Sequence, residues 1–221
     1  MRRLFVSASL IGALALLTLI FLYPTRPGTT SSGSTPLHPA QTSLDDDDIR
    51  VGSVIVADRE LRDPNFYQTT ILIAKYDEEG TLGLIINRRT DVPISRALDK
   101  WKEAKGRSEP VYVGGPVEKG AVMALVRSQP AFEHGVKIGR ELQLIADRTD
   151  LLKVLSGPAD VRFHVYFGYA GWGPDQLEGE IDEGAWHVFP HDASLIFDSE
   201  PDTLWPRLIK KTETQIARFA R

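Results

Sequence analysis

The chain has no cysteine. That absence removes disulfides, thiolate nucleophiles and cysteine metal sites together. A basic excess is missing as well, since 26 Lys and Arg stand against 30 Asp and Glu, for a formal net charge of -4. Without surplus positive charge there is no electrostatic footprint for a phosphate backbone, which argues against a nucleic-acid partner. The sequence also lacks an internal repeat, a G-x-G-x-x-G or P-loop pattern, and a G-x-S-x-G elbow. No Ser-His-Asp set can be picked out, so catalytic residues stay unknown and no cofactor or metal is expected.

What is present begins with a long apolar run. After Arg2 and Arg3, the stretch Leu4 to Tyr23 carries no charge. Twenty residues at helical rise span roughly 30 Å, the thickness of a hydrocarbon core. A signal-peptide core is shorter and ends at small residues, whereas this run ends Ile20-Phe21-Leu22-Tyr23-Pro24. Residues 1–23 therefore read as an uncleaved transmembrane anchor or signal-anchor, with a cleaved signal as the alternative. The positive-inside rule puts the N-terminus in the cytoplasm, giving a single-pass inner-membrane protein whose C-terminal domain is periplasmic. A reversed orientation, or a start misassigned at Met1, would make the domain cytoplasmic; Met123 is the only other methionine.

Residues 24–48 form a tether by composition. Pro24, Pro27, Pro36 and Pro39 lie among Ser, Thr and Gly with little to bury, so the segment reads as a disordered linker. It closes on the acidic run Asp45 to Asp48, which lacks the spaced ligands of a calcium loop and reads as a solvated collar.

Residues 49–221 read as one globular domain. Strands are expected at Val51 to Ala57, Thr69 to Ala74, Leu82 to Asn87, Val111 to Val113, Val122 to Val126, Val161 to Tyr169 and Ala185 to Phe189. Val136 to Ile145 reads as a hairpin turned at Gly139-Arg140, and Leu195-Ile196-Phe197 as a further short strand. Helical spacing marks Ile94 to Trp101, Arg148 to Leu155 with Thr149 as its cap, the segment after Trp172, and a terminal helix from Pro201. Strands that come in neighbouring groups rather than in βαβ alternation predict an α+β fold with a mixed sheet.

Four blocks then carry a family resemblance: G-S-V-I-V-A-D followed by D-P-N-F (Asp63 to Phe66), G-L-I-I-N-R (Gly83 to Arg88), V-Y-V-G-G-P-V (Val111 to Val117), and G-Y-A-G-W-G-P-D-Q-L-E-G-E-I (Gly168 to Ile181). Together, in this order, they resemble the YqgE/AlgH family of bacterial proteins from about Val51 to Lys211. The resemblance implies a compact α+β domain with a barrel-like sheet and flanking helices. It implies little about chemistry, because the family is mostly uncharacterised and some members carry only the label of a transcriptional regulator. Members are normally soluble and cytoplasmic, so the anchor and linker are departures.

The Gly168 to Ile181 block invites a ligand-loop reading. Its acids, Asp175, Glu178, Glu180 and, just beyond, Asp182 and Glu183, are accompanied by no Lys or Arg and would repel phosphate. A structural corner accounts for more: Pro174 suits a first helical turn, Leu177 and Ile181 share a face, and Gly184 can end the helix. Asp175, Glu178 and Asp182 would then form an exposed acidic stripe. Gly114-Gly115 permits either a bend or close approach to a ligand, and Arg88 reads most simply as a partner of a domain carboxylate. His187 and His191, four apart in a strand, would lie more than about 12 Å from each other, and His164 stands alone.

These observations select a candidate ligand or partner surface of Asn87, Arg88, Gly114, Gly115, Gly171, Trp172, Gly173, Asp175, Gln176 and Glu178. The leading expectation is a membrane-anchored, non-enzymatic interaction or regulatory module with an unidentified protein partner. The alternatives are a small-ligand binder or enzyme with a cleft lined by glycines, and a transcriptional regulator by family label.

Overall fold

The computed structural model describes residues 49–128, 131–158 and 161–219, from 213 onward for the backbone alone. The expected anchor (1–23) and linker (24–48) lie outside the described residues. No described helix is long and apolar enough to cross a membrane.

The first half of the sheet comes from short, strongly apolar strands. β1 (Val54–Ala57), β2 (Thr70–Asp77) and β3 (Gly80–Ile85) pair antiparallel in sequence, and β10 (Trp186–Phe189) adds to the free edge of β1. All of β1 and β3 is buried, as is β2 through Ala74, which explains runs of Val, Ile and Leu without polar alternation. α5 (Leu204–Phe219) packs Trp205, Leu208 and Ile209 into the same cluster, and the Trp205 indole donates to the Ala57 carbonyl at 2.7 Å.

In the second half, β6 (Val117–Arg127) pairs with β8 (Leu142–Ile145), and β8 with β7 (Val136–Ile138), the last two forming the expected hairpin. β4 (Arg89–Pro93) pairs with β5 (Pro110–Val113). A second apolar cluster covers one face here. It draws Ile94 and Leu98 from α1 (Ile94–Ala97) and its end, Ala104 from a 3-10 turn, and Leu151, Val154 and Leu155 from α2 (Arg148–Ser156).

β9 (Arg162–Trp172) joins the halves. Its eleven residues pair with β6 along one edge; along the other, residues 165–167 run parallel to β5 and residues 170–172 antiparallel to β3. The change of partner falls at Gly168, whose φ of +70° gives the local turn that most side chains resist.

The expected α+β class with a mixed sheet is present, but the sheet is not closed into a barrel. Its hydrogen-bonded path runs β10-β1-β2-β3-β9-β6-β8-β7, and the two end strands do not pair with each other. Pro190 cannot continue a ladder after β10. His191 follows it instead, placing Nδ1 3.2 Å from the Gly52 carbonyl and its ring against the β7–β8 turn, where a Cβ on Gly139 would meet Nε2 at 2.7 Å. A side chain, not strand pairing, therefore brings the two ends of the sheet together.

Three local expectations are also corrected. Leu195 to Phe197 is not a strand but the second half and C-cap of α4 (Ala193–Ile196), because Asp192 accepts the Ser194 N–H at 2.9 Å and caps a turn. α2 is capped by Asp147, whose Oδ1 accepts from the Asp150 N–H at 3.0 Å, while Thr149 lies inside the helix. The Ile94 to Trp101 face is buried by one turn of α1, a bend, and a 3-10 turn at Lys102–Ala104 rather than one continuous helix.

Inside the larger cluster, His164 stacks on Tyr112 at 4.5 Å and meets Phe197 at 5.0 Å, with Nδ1 unpartnered. Burial, then the nearby Arg89 charge, lowers its pKa to about 4, against a smaller opposing effect of a hydrogen bond to the Ile196 backbone. Between pH 6.5 and 4 the unfolded chain binds a proton that the native imidazole refuses, so stability falls on acidification and this contribution levels off below pH 4. We expect His164→Leu to remove roughly 3 kcal/mol of that acid loss. Urea unfolding of both proteins from pH 7.5 to 4 measures it as a change in their stability difference.

Candidate functional site

The Gly168 to Ile181 block is organised around a buried carboxylate. β9 delivers Trp172 and β10 delivers Trp186, and α3 (Gln176–Asp182) lies between them in sequence. Glu180, only 7% exposed, accepts both indole N–H groups on Oε2, each at 2.9 Å. Its Oε1 accepts the Gln176 side-chain amide at 3.0 Å, and the Gln176 carbonyl oxygen accepts the Gly173 N–H at 3.1 Å. Phe66 stacks on Trp172 at 5.9 Å and sets its edge against Trp186 at 5.7 Å, so the loop between β1 and β2 closes over the pair.

Trp172, 4% exposed, and Gln176 thus serve the interior. The acids beside them do not: Asp175 and Asp182 are exposed and Glu178 is partly so, with Gly179 and Glu183 also facing solvent. Asp175 precedes the helix in a left-handed conformation (φ 58°) and makes no side-chain cap. Glu180 was missed as an interior residue. Its spacing from Leu177 and Ile181 puts it on the apolar face of the helix, which was a usable signal.

The glycines of the blocks converge, and what Gly114 and Gly115 meet is chiefly backbone. β3 and β9 put Gly83 opposite Ala170 and Leu82 opposite Gly171. Gly114 bridges the strands, its N–H donating to Phe167 and its carbonyl accepting from Ile85. A Cβ on Gly114 would collide with the Gly168 carbonyl, and one on Gly115 with the Tyr169 backbone. A Cβ on Gly83 would approach Ile71 Cγ2 at 2.6 Å and the Trp172 ring at 3.2 Å. Gly171 and Gly173 have more room, with nearest neighbours at 3.4 Å and 3.8 Å.

Asn87 and Arg88 sit past the end of β3. Asn87 accepts the Thr70 N–H on Oδ1 at 2.8 Å and donates from Nδ2 to the Gln68 carbonyl at 2.9 Å, prolonging the β2–β3 ladder with a side chain. This holds Gln68 in a left-handed conformation (φ 54°). Asn87 lies four residues beyond Gly83, roughly 13 Å at strand rise, so the Asn87–Arg88 pair and the Trp172–Glu180 centre sit at different places along β3. The expected ion pair of Arg88 with a domain carboxylate does not form among the described residues, where its side chain makes a single hydrogen bond, a 3.5 Å contact to the Tyr67 carbonyl.

The histidines have separate partners. His187 Nε2 lies 2.9 Å from Asp58 Oδ2, and His191 contacts Gly52. A metal-like grouping of His134, Asp147 and Asp150 has ligand atoms within 4.8 Å of one another. Its carboxylates are engaged: Asp150 accepts from Lys153 Nζ at 2.7 Å and from the His134 N–H at 2.8 Å, while Asp147 caps α2. Burial alone would raise the Asp150 pKa, but the hydrogen bonds from Lys153 and His134 lower it. That arrangement is explained by docking the β6–β7 loop onto α2.

The AlgH-like family model matches residues 54–217, from the start of β1 into α5. The chain belongs to the AlgH-like family. A UPF0301 protein of Streptomyces coelicolor is 33% identical over 173 residues, covering 76% of this chain and 90% of its own. One of Streptomyces avermitilis is 34% identical over the same length and coverage. The solution structure of the AlgH protein from Pseudomonas aeruginosa superposes with a TM-score of 0.59 at 25% identity, covering 83% of this chain and 94% of that one. This AlgH-like domain is thus nearly the whole of that relative.

Two stability tests follow from the geometry. Glu180→Ala orphans two buried indole donors and should cost about 3 kcal/mol in urea unfolding. Gly115→Ala forces a Cβ into the Tyr169 backbone and should also cost about 3 kcal/mol. Gly179→Ala, in α3 with open space at its Cβ, should instead gain up to about 1 kcal/mol. Melting curves of the two glycine variants should therefore move in opposite directions.

Proposed function

We propose that this AlgH-like chain is a membrane-anchored, non-enzymatic interaction module that meets a basic protein surface through the exposed acids of α3. The reading rests on one observation above the rest. Asp175, Glu178, Asp182 and Glu183 have no ion pair with any described residue, although they sit on a helix fixed from within by Glu180. A rigid element with uncompensated charge favours a partner of opposite charge, chiefly through association rate and register.

The anchor belongs to the same proposal and is supported by the uncharged run Leu4 to Tyr23 with Arg2 and Arg3 before it. It puts the domain on the periplasmic side of the inner membrane. A cleft lined by glycines is the second reading, and the backbone that fills the space beside Gly114 and Gly115 weighs against it. Regulation by DNA binding fits poorly with a net charge of -4.

In-cell crosslinking followed by affinity capture tests the partner. Glu178→Lys with Asp182→Lys should abolish capture, and stability should stay within about 0.5 kcal/mol because Asp182 faces solvent, Glu178 is partly exposed and neither has an ion pair with a described residue to lose. Capture that survives charge reversal and is insensitive to salt would sink the reading. Alkaline phosphatase fused after Arg221 should be active, as a periplasmic domain requires; an active β-galactosidase fusion at that place would reverse the orientation.

A further inference from the structure

Two carboxylates open α2 on one side of its first turn, Asp147 as the cap and Asp150 three residues on. The β6–β7 loop docks through its backbone: the His134 N–H donates to Asp150 Oδ2 at 2.8 Å, and the Phe132 N–H to Gln143 Oε1 of β8 at 2.9 Å. Docking of this kind has no need of the His134 imidazole. Yet its Nδ1 lies 3.4 Å from Asp150 Oδ2 and 3.7 Å from Asp147 Oδ1.

Both of those oxygens have a lone pair to spare. A carboxylate oxygen can accept twice, and each has taken one backbone donor, Asp147 Oδ1 the Asp150 N–H and Asp150 Oδ2 the His134 N–H. Lys153 uses the other Asp150 oxygen, Oδ1, at 2.7 Å. One imidazole nitrogen and two carboxylates therefore offer ligand atoms within 4.8 Å of one another. The backbone donors fix the orientation of the carboxylates, as the outer partners of metal ligands do.

Spacing and charge select the ion. Zinc bonds of about 2.0–2.2 Å at tetrahedral angles put neighbouring ligand atoms roughly 3.4 Å apart, close to both separations from Nδ1. An imidazole ligand disfavours calcium and magnesium, which take oxygen. Burial opposes the ionisation of Asp150, but hydrogen bonds from Lys153 and His134 outweigh it and keep the carboxylate charged. Asp150, Glu133 and Asp147 all act on the Lys153 charge, so three carboxylates stand against one ammonium. That surplus outweighs the roughly half positive charge of a helix N-terminus. A protonated imidazole would use the same two oxygens, but it brings one positive charge where a zinc ion brings two.

We propose that His134 Nδ1, Asp147 Oδ1 and Asp150 Oδ2 bind a zinc ion, which fastens the β6–β7 loop to α2. Water completes the tetrahedron, since the His134 and Asp147 side chains are 39% and 21% exposed. The site uses none of the α3 acids and does not depend on their role.

The test is a titration of the chelator-stripped full chain, in phosphatidylcholine nanodiscs at pH 7.5, with zinc chloride, following the histidine rings by NMR. Saturable binding that moves the His134 Nδ1 signal and raises the melting temperature is expected. His134→Gln, at an exposed side chain, removes one ligand. Asp147→Asn removes the charge of another while keeping a residue that caps α2 as well. Each should weaken zinc binding at least about tenfold, the lower end of what even outer partners of a metal contribute, and abolish the thermal rise. Magnesium chloride should leave the His134 signal in place. The site is overturned if zinc moves only the other histidines or none, as adventitious binding at the Asp45 to Asp48 run would do. Parent-like affinity in either variant would overturn it too, as would magnesium that matches zinc.

Discussion

One buried carboxylate organises the part of the molecule where β9, α3 and β10 meet. Glu180 gathers the indole N–H groups of Trp172 and Trp186, which otherwise would be buried donors without acceptors. Because β1, β2 and β3 separate β10 from β9 on the sheet path, the contact fixes more than a local turn. Phe66 then packs on both indoles, which positions the loop ahead of β2, and Asn87 secures the end of that loop through Gln68. A charge inside an aromatic cage is a costly device, and it is stable only because each oxygen of Glu180 has its donors. The same device makes α3 rigid, so its outward acids are held at fixed positions.

β9 supplies the second constraint. A strand that pairs parallel with β5 and then antiparallel with β3 along one edge needs a break in its own geometry, and Gly168 provides it. The arriving chains must also pass close together, so Gly114 and Gly115 press against Gly168 and Tyr169 with no space for a side chain. The glycines of different blocks are therefore one joint. A glycine-rich sequence beside tryptophan resembles a ligand loop only while the partner backbone is out of view.

Much of this was legible in the sequence, and the failures share a cause. Apolar runs such as Val54–Ala57 and Gly80–Ile85 are short and continuous, which identifies buried strands without long-range information. The turn at Gly139 and the helix end at Gly184 follow from local backbone preference, and both have positive φ. Leu195 to Phe197 is too short for its period to be decided, and the Asp192 cap decided it. Sheet closure, the role of Glu180 and the lack of an ion pair at Arg88 depend on which distant groups meet. His191 touches Gly52 and Gly139 from across the chain, and no local pattern announces that.

The distribution of charge relates the domain to its proposed attachment. Were Leu4 to Tyr23 an anchor, the 25 residues from 24 to 48 would give the domain a root-mean-square distance of roughly 28 Å from its membrane exit point by random-coil scaling. Confinement of that kind raises the effective concentration of a partner on the same membrane to about the millimolar range. A surface of a few exposed acids is then sufficient, even though single solvent-exposed charge pairs contribute only about 1 kcal/mol or less. Tight binding would need a large apolar interface, yet the large aromatic side chains Trp172, Trp186 and Phe66 are turned inward. On the proposed reading, the domain would be suited to many weak, salt-sensitive encounters near a membrane rather than to one permanent complex, with its aromatic residues used to hold the acidic helix in place.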